Sequence, residues 1–499
     1  MTDTTDGGAA HRPLPPLTLS EPAMRRAGER ALHRIIGRVS QPGAGPVASH
    51  RTREELEKEW REPPPEDGED LAALVDRLAD TALVTGMRSD HPRCFAFVPS
   101  AGTYPAVLAD ALAAAFLALP GAWLVGSGPT QLELVTVSWL CELLGLPPGS
   151  GGLCVSGGTE ANLTALTAAR DSRLRGDLRG ARAYCSDQAH PSVAKALHIL
   201  GFTRDQLVAL PADAALRLPP DALAARVRRD RAAGLRPFAV VATAGTTGTG
   251  AVDPLPELAA LCRTEHLWLH TDGALGAAAR ITERGRALVA GLELADSVTV
   301  DPHKWLFQPY DIGCVLLREP GLLRESFALS RHSTDVDAGY LDASRHAADG
   351  APLEGEVNLS DYGVQLSRGL RALKLWLSFK TFGVRAYREA VADGLRLAEY
   401  AAGRVSAHPE LELTTPASLG VLTFRCRPPG GPAPGPALDG LQAAVSRAVV
   451  AGGQAMVLPT RLRGGRVLRL CTINPRSAEA DVDAALARVL DAARHLAGG

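Results

Sequence analysis

The strongest constraint on this chain is an alternation. From about residue 100 to 320, short apolar β-rich segments alternate with segments of helical periodicity. GGLCVSGG leads into TEANLTALTAARDSRL, and RAYCSDQAH into PSVAKALHIL. PFAVVATAG runs into a Gly/Thr loop, and HLWLHTDGA, SVTVDPHKW and GCVLLRE follow in turn. Strands interleaved with helices predict an α/β fold with a mostly parallel sheet covered on both faces. Ligands of such sheets sit at the carboxyl ends of the strands, where the chemically interesting residues of this chain collect.

The flanking sequence reads differently. Residues 1–18 are Gly/Pro/Thr-rich and predicted disordered. Residues 19–90 read as a helical arm, with amphipathic patterns EPAMRRAGERALHRIIGRVS and DLAALVDRLADTALV separated by QPGAGP and EPPPEDGED. Such an arm cannot bury much core alone and is expected to pack on a partner subunit. Residues 91–385 form the expected large domain, with a long helical pattern from about Val364 to Phe382 near its end, after which a second helix continues to about Glu399. Residues 386–499 read as a small α+β domain, with LGVLTFRCRPPGG, a helix near 438–451, GRVLRLCTI and a final helix at 478–497.

Several function classes lose support. A net charge of −2 gives no footprint for nucleic acid. No apolar run reaches the ~18 residues that span a bilayer, and no basic segment followed by an apolar one opens the chain. The eight cysteines show no CxxC pair and no metal-ligand spacing, so no metal is expected and a cytoplasmic location is.

Of 53 basic residues only Lys58, Lys195, Lys304, Lys374 and Lys380 are lysines. Lys304, in DPHKWL, directly follows the apolar strand SVTV; apolar neighbours there can lower its pKa and make the amine nucleophilic. Asp272 closes LWLHTD 32 residues earlier, and a buried strand-end carboxylate needs a cationic partner, such as a pyridinium nitrogen. SGGTEAN (156–162) opens a helix, where free N–H groups and the dipole favour phosphate, and Thr159 adds a hydroxyl. This loop matches neither GxGxxG nor GxxxxGK[ST], which disfavours dinucleotides and nucleoside triphosphates. His190 in SDQAHPS can stack on an aromatic ring, and TAGTTGTG offers Thr246 and Thr247 at the same edge. Asp253 reads as a helix N-cap and is left out of the site. Alone, each of these has a bland reading: a turn lysine, a structural carboxylate, a loop histidine. Together they supply a phosphate cradle, a stacking imidazole, a ring-nitrogen carboxylate and a Schiff-base lysine for pyridoxal 5′-phosphate (PLP).

These motifs, with HPRCFAFVPSAGTYPAVLADAL, PTQLELVTVSWL, DYGVQLSRGLRALKLW and RVLRLCTINPRSAEADVD, resemble the group II PLP-dependent amino-acid decarboxylases from about residue 21 onward. The resemblance implies fold-type I architecture with a seven-stranded-type sheet, and a homodimer with active sites at the interface. It implies decarboxylation of an L-amino acid to the amine and carbon dioxide through a Lys304 aldimine. By carry-over, Gly158 and Thr159 contact phosphate, His190 stacks on the ring, Asp272 meets its nitrogen and Ala274 lies beneath it. Thr247 is counted with the cofactor residues, and His303 precedes the lysine as in the family. Asp301 stands where animal aromatic enzymes have Asn and is expected in the phosphate region. A mobile-loop tyrosine reprotonates Cα in this family; Tyr340, in the polar stretch 330–356, is the candidate.

Matching residues 91–123 to the aromatic enzymes places Phe97, Val98, Pro99, Ser100, Leu119 and Gly121 around the side-chain pocket. Phe97 and Val98 suit an aromatic substrate. An acidic or otherwise functionalised amino acid, or aldehyde synthesis, stays open as the alternative.

Overall fold

The computed structural model describes residue 15 and residues 17–328 and 355–497. Most of the stretch expected to be disordered, and the loop holding Tyr340, lie outside these residues. The chain divides into two compact units, parting between Arg88 and Ser89.

In the first unit, α1 (Glu21–Ser40) begins where Ser20 accepts from the Ala23 amide. A capping box of Thr52 and Glu55 opens α2 (Arg53–Trp60), and Asp70 caps α3 (Leu71–Asp80). β1 (Ala48–Ser49) pairs antiparallel with β2 (Gly86–Met87). Ion pairs Arg26–Asp70, Arg30–Asp76 and Arg34–Asp80 join α1 to α3. Ala27, Val47 and Ala48 are the buried apolar residues among those described in this unit.

In the second unit, α4 (Tyr104–Ala115) and α5 (Trp123–Leu143) lead into the central sheet. Its strands are β3 (Gly151–Val155), β4 (Ala181–Ser186), β5 (Leu207–Leu210), β6 (Arg236–Thr243), β7 (Trp268–Asp272), β8 (Ser297–Val300) and β9 (Gly313–Leu317). Their order is β3-β9-β8-β7-β6-β4-β5, and all pairs are parallel except those made by β9. No helix lies between β8 and β9, so the chain turns back antiparallel rather than crossing over. Every residue of β7, β8 and β9 is buried, as strands with helices on both faces require. Val240 and Leu269 pack into one apolar cluster, while their sequence neighbours Val241 and Trp268 pack into another. These strand directions bring the carboxyl ends of β3, β4, β6, β7 and β8 to one edge. Helix α6 (Gly158–Leu174) starts there, directly after β3, and α7 (Ser192–Ile199) follows β4.

The smaller sheet is antiparallel, with β10 (Leu411–Ser418), β11 (Val421–Cys426), β12 (Leu458–Leu462) and β13 (Gly465–Cys471) in the order β10-β11-β13-β12. Segment 93–95 joins it: the Phe95 amide donates to Met456 O, the Met456 amide to Arg93 O, and the Cys471 amide to Phe95 O, each at 3.0 Å.

The helix expected from Val364 starts instead at Ala372 and runs to Ala407, kinked at Gly383 (φ 73°). Arg368, in the stretch before it, is 3% exposed and donates to Glu133, Pro120 O and Cys154 O. These tertiary bonds, with Gly363 and Gly369 alongside, override the helical periodicity. The expected domain boundary at 385/386 falls inside this helix. No described helix is long and apolar enough to cross a membrane.

Candidate active site

Strand β8 ends at Val300, and a tight turn hydrogen-bonds the Lys304 amide to Asp301 O at 2.9 Å. The turn folds the Lys304 side chain back, leaving Nζ 2.9 Å from Asp301 Oδ2. This reverses the expected electrostatics. Burial pulls the Lys304 pKa down, but the Asp301 carboxylate, with Asp272 further off, holds it above the ordinary lysine value. The amine rests as an ammonium because its partner is a carboxylate that the apolar neighbours alone do not reveal.

Asp272, 5% exposed at the end of β7, accepts from Asn162 Nδ2 at 3.0 Å and from the Ala274 amide at 3.1 Å. Asn162 Nδ2 also donates to Ser192 Oγ at 2.9 Å, and Ser192 Oγ lies 2.8 Å from His190 Nδ1. The Ser192 amide donates to that same nitrogen at 3.2 Å, so Nδ1 is the acceptor and the neutral ring carries its proton on Nε2. A continuous hydrogen-bonded chain therefore links the imidazole to the Asp272 carboxylate. Below it, His270 Nε2 donates to Asn162 Oδ1 at 2.9 Å, and Thr299 Oγ1 donates to the same oxygen at 2.7 Å.

Gly158 lies at the start of α6 against Asp301. A Cβ on it would stand 2.9 Å from Asp301 Oδ2 and 3.3 Å from Ala274 Cβ. Glu160 turns back to accept from the Ser156 amide and hydroxyl, fixing the loop's path. His303, pushed to a lower pKa by burial, lies with Nε2 3.5 Å from Asp301 Oδ2 and its ring centroid 4.8 Å from that of Tyr310.

One cavity of about 460 Å³ gathers most of the expected residues: Phe97, Val98, Gly158, Thr159, His190, Thr247, Asp272, Ala274, Asp301, His303 and Lys304. Pro99, Ser100, Leu119 and Gly121 do not line it. Thr246 is buried and bonded to Thr249, so it serves the loop rather than the cavity. Asp253 is not a helix cap: the cap position falls on Pro254, and the Asp253 carboxylate accepts from the Leu218 and Thr243 amides. Tyr340 lies outside the described residues. Asn162, Ser192 and Tyr310 also line the cavity but escaped the sequence reading. Asn162 follows Gly158 by four residues on one helix, a spacing that puts both on the same face.

A flat anionic pyridine cofactor fits these groups. The start of α6 offers backbone N–H groups and a dipole to a phosphate. Asp272 keeps oxygen lone pairs for a ring N–H, and Lys304 offers an amine. Among the described residues, Asp301 Oδ1 is buried without a hydrogen-bond partner, as expected of an atom that faces a ligand.

Comparison with known proteins agrees. Residues 54–427 match the pyridoxal-dependent decarboxylase conserved domain. An aromatic-L-amino-acid decarboxylase of Bacillus atrophaeus is 42% identical over 92% of this chain and 93% of that protein. The crystal structure of Oryza sativa TDC with PLP and tryptamine aligns with TM-score 0.88 and 27% identity, covering 97% of this chain and all of that one. Rhodiola rosea 4-hydroxyphenylacetaldehyde synthase aligns with TM-score 0.86 and 25% identity, covering 97% and 100%. The mostly parallel sheet with its small antiparallel companion is thus the fold-type I architecture, and the chain belongs to the pyridoxal-dependent decarboxylase family as a PLP-dependent amino-acid carboxy-lyase.

Proposed function

We propose that this enzyme decarboxylates an aromatic L-amino acid to the corresponding amine, with Lys304 as the point of cofactor attachment. The observation that carries the proposal is the convergence of Lys304, Asp272 and His190 on one cavity walled by Phe97, Val98 and Tyr310. The 42% identity to an aromatic-L-amino-acid decarboxylase supports the substrate class. Bound PLP supplies an electron-withdrawing ring that accepts the electron pair left when the Cα–carboxylate bond breaks. Asp272 keeps a proton on the ring nitrogen, the Asn162–Ser192 chain orients His190, and the α6 N-terminus binds phosphate. Tyr340 is our candidate for returning a proton to Cα.

A homodimer with interfacial sites is part of this reading. Leu108, Leu112, Phe116, Leu117, Leu124 and Val125 are all exposed along α4 and the start of α5, an apolar stretch suited to a second copy. Eight buried free cysteines accord with the cytoplasm.

The test incubates the PLP-loaded enzyme with a panel of L-amino acids and measures carbon dioxide and amine. Equimolar amine and carbon dioxide from an aromatic amino acid, lost in Lys304→Ala, is the expected result. Aldehyde in place of amine overturns it.

One observation favours an acidic substrate as the second reading. Arg469, 6% exposed, donates from Nη1 to Phe97 O, and among the described residues its Nε and Nη2 have no hydrogen-bond partner. It lines a neighbouring cavity of about 420 Å³ that shares Phe97, His190 and Thr247 with the first. Turnover of an acidic amino acid that disappears in Arg469→Met would establish this reading instead.

A further inference from the structure

We propose that Thr243 is a further cofactor contact, its side-chain hydroxyl donating a hydrogen bond to the phenolic oxygen of PLP. The proposal rests on the reading above, in which Asp272 meets the ring nitrogen and the α6 N-terminus holds the phosphate.

Two side-chain atoms of cavity-lining residues are buried without a hydrogen-bond partner among the described residues: Asp301 Oδ1 and Thr243 Oγ1. They stand on opposite flanks of Asp272. The sheet runs β8, β7, β6, with Asp301 directly after β8, Asp272 closing β7 and Thr243 closing β6. Thr243 and Asp272 are register partners, so their side chains leave the sheet on the same face. PLP has a matching layout. Its phosphate arm and its phenolic oxygen lie on opposite sides of the line from ring nitrogen to aldehyde carbon. The start of α6 is on the Asp301 flank, where a Cβ on Gly158 would stand 2.9 Å from Asp301 Oδ2. With nitrogen at Asp272 and phosphate on that flank, the phenolic oxygen turns toward β6 and Thr243.

The hydroxyl is held in place and has nothing else to do. The Thr243 amide donates to Asp253 Oδ2 at 2.7 Å, and the Asp253 amide donates to Thr243 O at 3.0 Å. Thr243 is 4% exposed. A buried hydroxyl without a partner costs free energy, and valine would fill the same space without one. Packing therefore does not account for the oxygen, whereas a ligand acceptor does. The nearby hydroxyls differ. Thr246 Oγ1 bonds Thr249, Ser192 Oγ bonds Asn162 and His190, and Thr247 is exposed.

The test compares PLP with 3-deoxypyridoxal 5′-phosphate, which lacks only that oxygen, by equilibrium dialysis against the cofactor-free full-length enzyme. Wild type should bind PLP the more tightly. In Thr243→Val this preference should shrink about tenfold or more, as for loss of a hydrogen bond to a charged acceptor. Thr243→Ser should keep most of it. Comparing two cofactors within each protein cancels every effect of the oxygen that does not involve residue 243. The urea midpoint of cofactor-free Thr243→Val should be at or above wild type, because an unpartnered buried hydroxyl is gone. An equal preference in Thr243→Val and wild type overturns the proposal. So does a wild type indifferent to the missing oxygen, whether or not the variants fold. Asp272→Asn separates the two readings. Weakened PLP binding there, with the preference intact in Thr243→Val, overturns only the Thr243 contact. Unchanged PLP binding in Asp272→Asn overturns the ring orientation on which it rests.

Discussion

Asn162 donates from Nδ2 to Asp272 Oδ2 at 3.0 Å while its Oδ1 accepts from both His270 and Thr299. The amide is fully buried and holds polar groups from β7 and β8 together with Ser192 at the start of α7. Asn162→Leu leaves those partners unsatisfied, each at a cost of about 1–3 kcal/mol that adds only partly. The expected outcome is a loss of about 2–4 kcal/mol in unfolding free energy and weaker PLP binding, because Asp272 loses its orientation. Denaturant titration and PLP absorbance titration measure the two effects; unchanged cofactor affinity would sink the positioning role.

His270 makes stability fall on acidification. Burial pushes its pKa down to about 4, and both ring nitrogens are already bonded in the neutral form, to Ser297 and Asn162. Between the unfolded value near 6.5 and the folded one, the native state binds fewer protons, so stability rises with pH. The contribution is intact above about pH 6.5 and fades as pH falls toward 4, with about 2 kcal/mol lost from pH 7 to pH 5. Unfolding free energies at those two pH values should therefore differ by less in His270→Gln than in wild type. Equal differences in both proteins would refute the assignment.

Lys304, Asp272 and His190 were legible in the sequence because each lies at or just beyond the end of a strand of an α/β pattern, and parallel strands deliver their ends to one edge. The partners of those residues were not. Asn162 meets His270 and Thr299 only through the register of β7 on β8, where His270 pairs with Ser297 and Asp272 with Thr299. The raised Lys304 pKa depends on a turn that points Asp301 at Nζ, which residue types do not specify. Tyr310 sits in an irregular stretch with no periodicity to read. Strands β10 and β12 were missed because each contains a proline, Pro416 or Pro459, and each is an edge strand of its sheet. The helix start slipped from Val364 to Ala372 because a buried arginine outweighed local pattern.

That arginine makes a prediction of its own. Arg368 and Glu133 are 3% and 0% exposed and share two hydrogen bonds, at 3.0 and 2.7 Å. The Glu133 carboxylate also accepts from the Cys154 amide in β3. Arg368→Met strands a buried carboxylate and should cost about 3–5 kcal/mol. Combining it with Glu133→Gln removes the stranded charge and should recover part of that loss, seen as a return of the urea midpoint toward wild type. A double variant no more stable than Arg368→Met would show that packing, not charge, is the origin.

Gly158 is where the cradle tolerates no side chain. Its place at the start of α6 makes alanine favourable for the helix itself, so a defect in Gly158→Ala must arise from the site. The new methyl would stand 2.9 Å from Asp301 Oδ2, closer than a carbon and a carboxylate oxygen settle, and would project into the space between Asp301 and Ala274. Relief requires either Asp301 to swing away from Lys304 or the loop to retreat from the sheet edge, and both displace groups that we propose face the phosphate. The expected result is PLP affinity reduced at least about tenfold, equivalent to about 1.4 kcal/mol, with the urea midpoint of the cofactor-free protein near wild type. Equilibrium dialysis against PLP gives the first quantity and denaturation the second. Wild-type affinity in this variant would mean that the phosphate lies elsewhere along the strand ends.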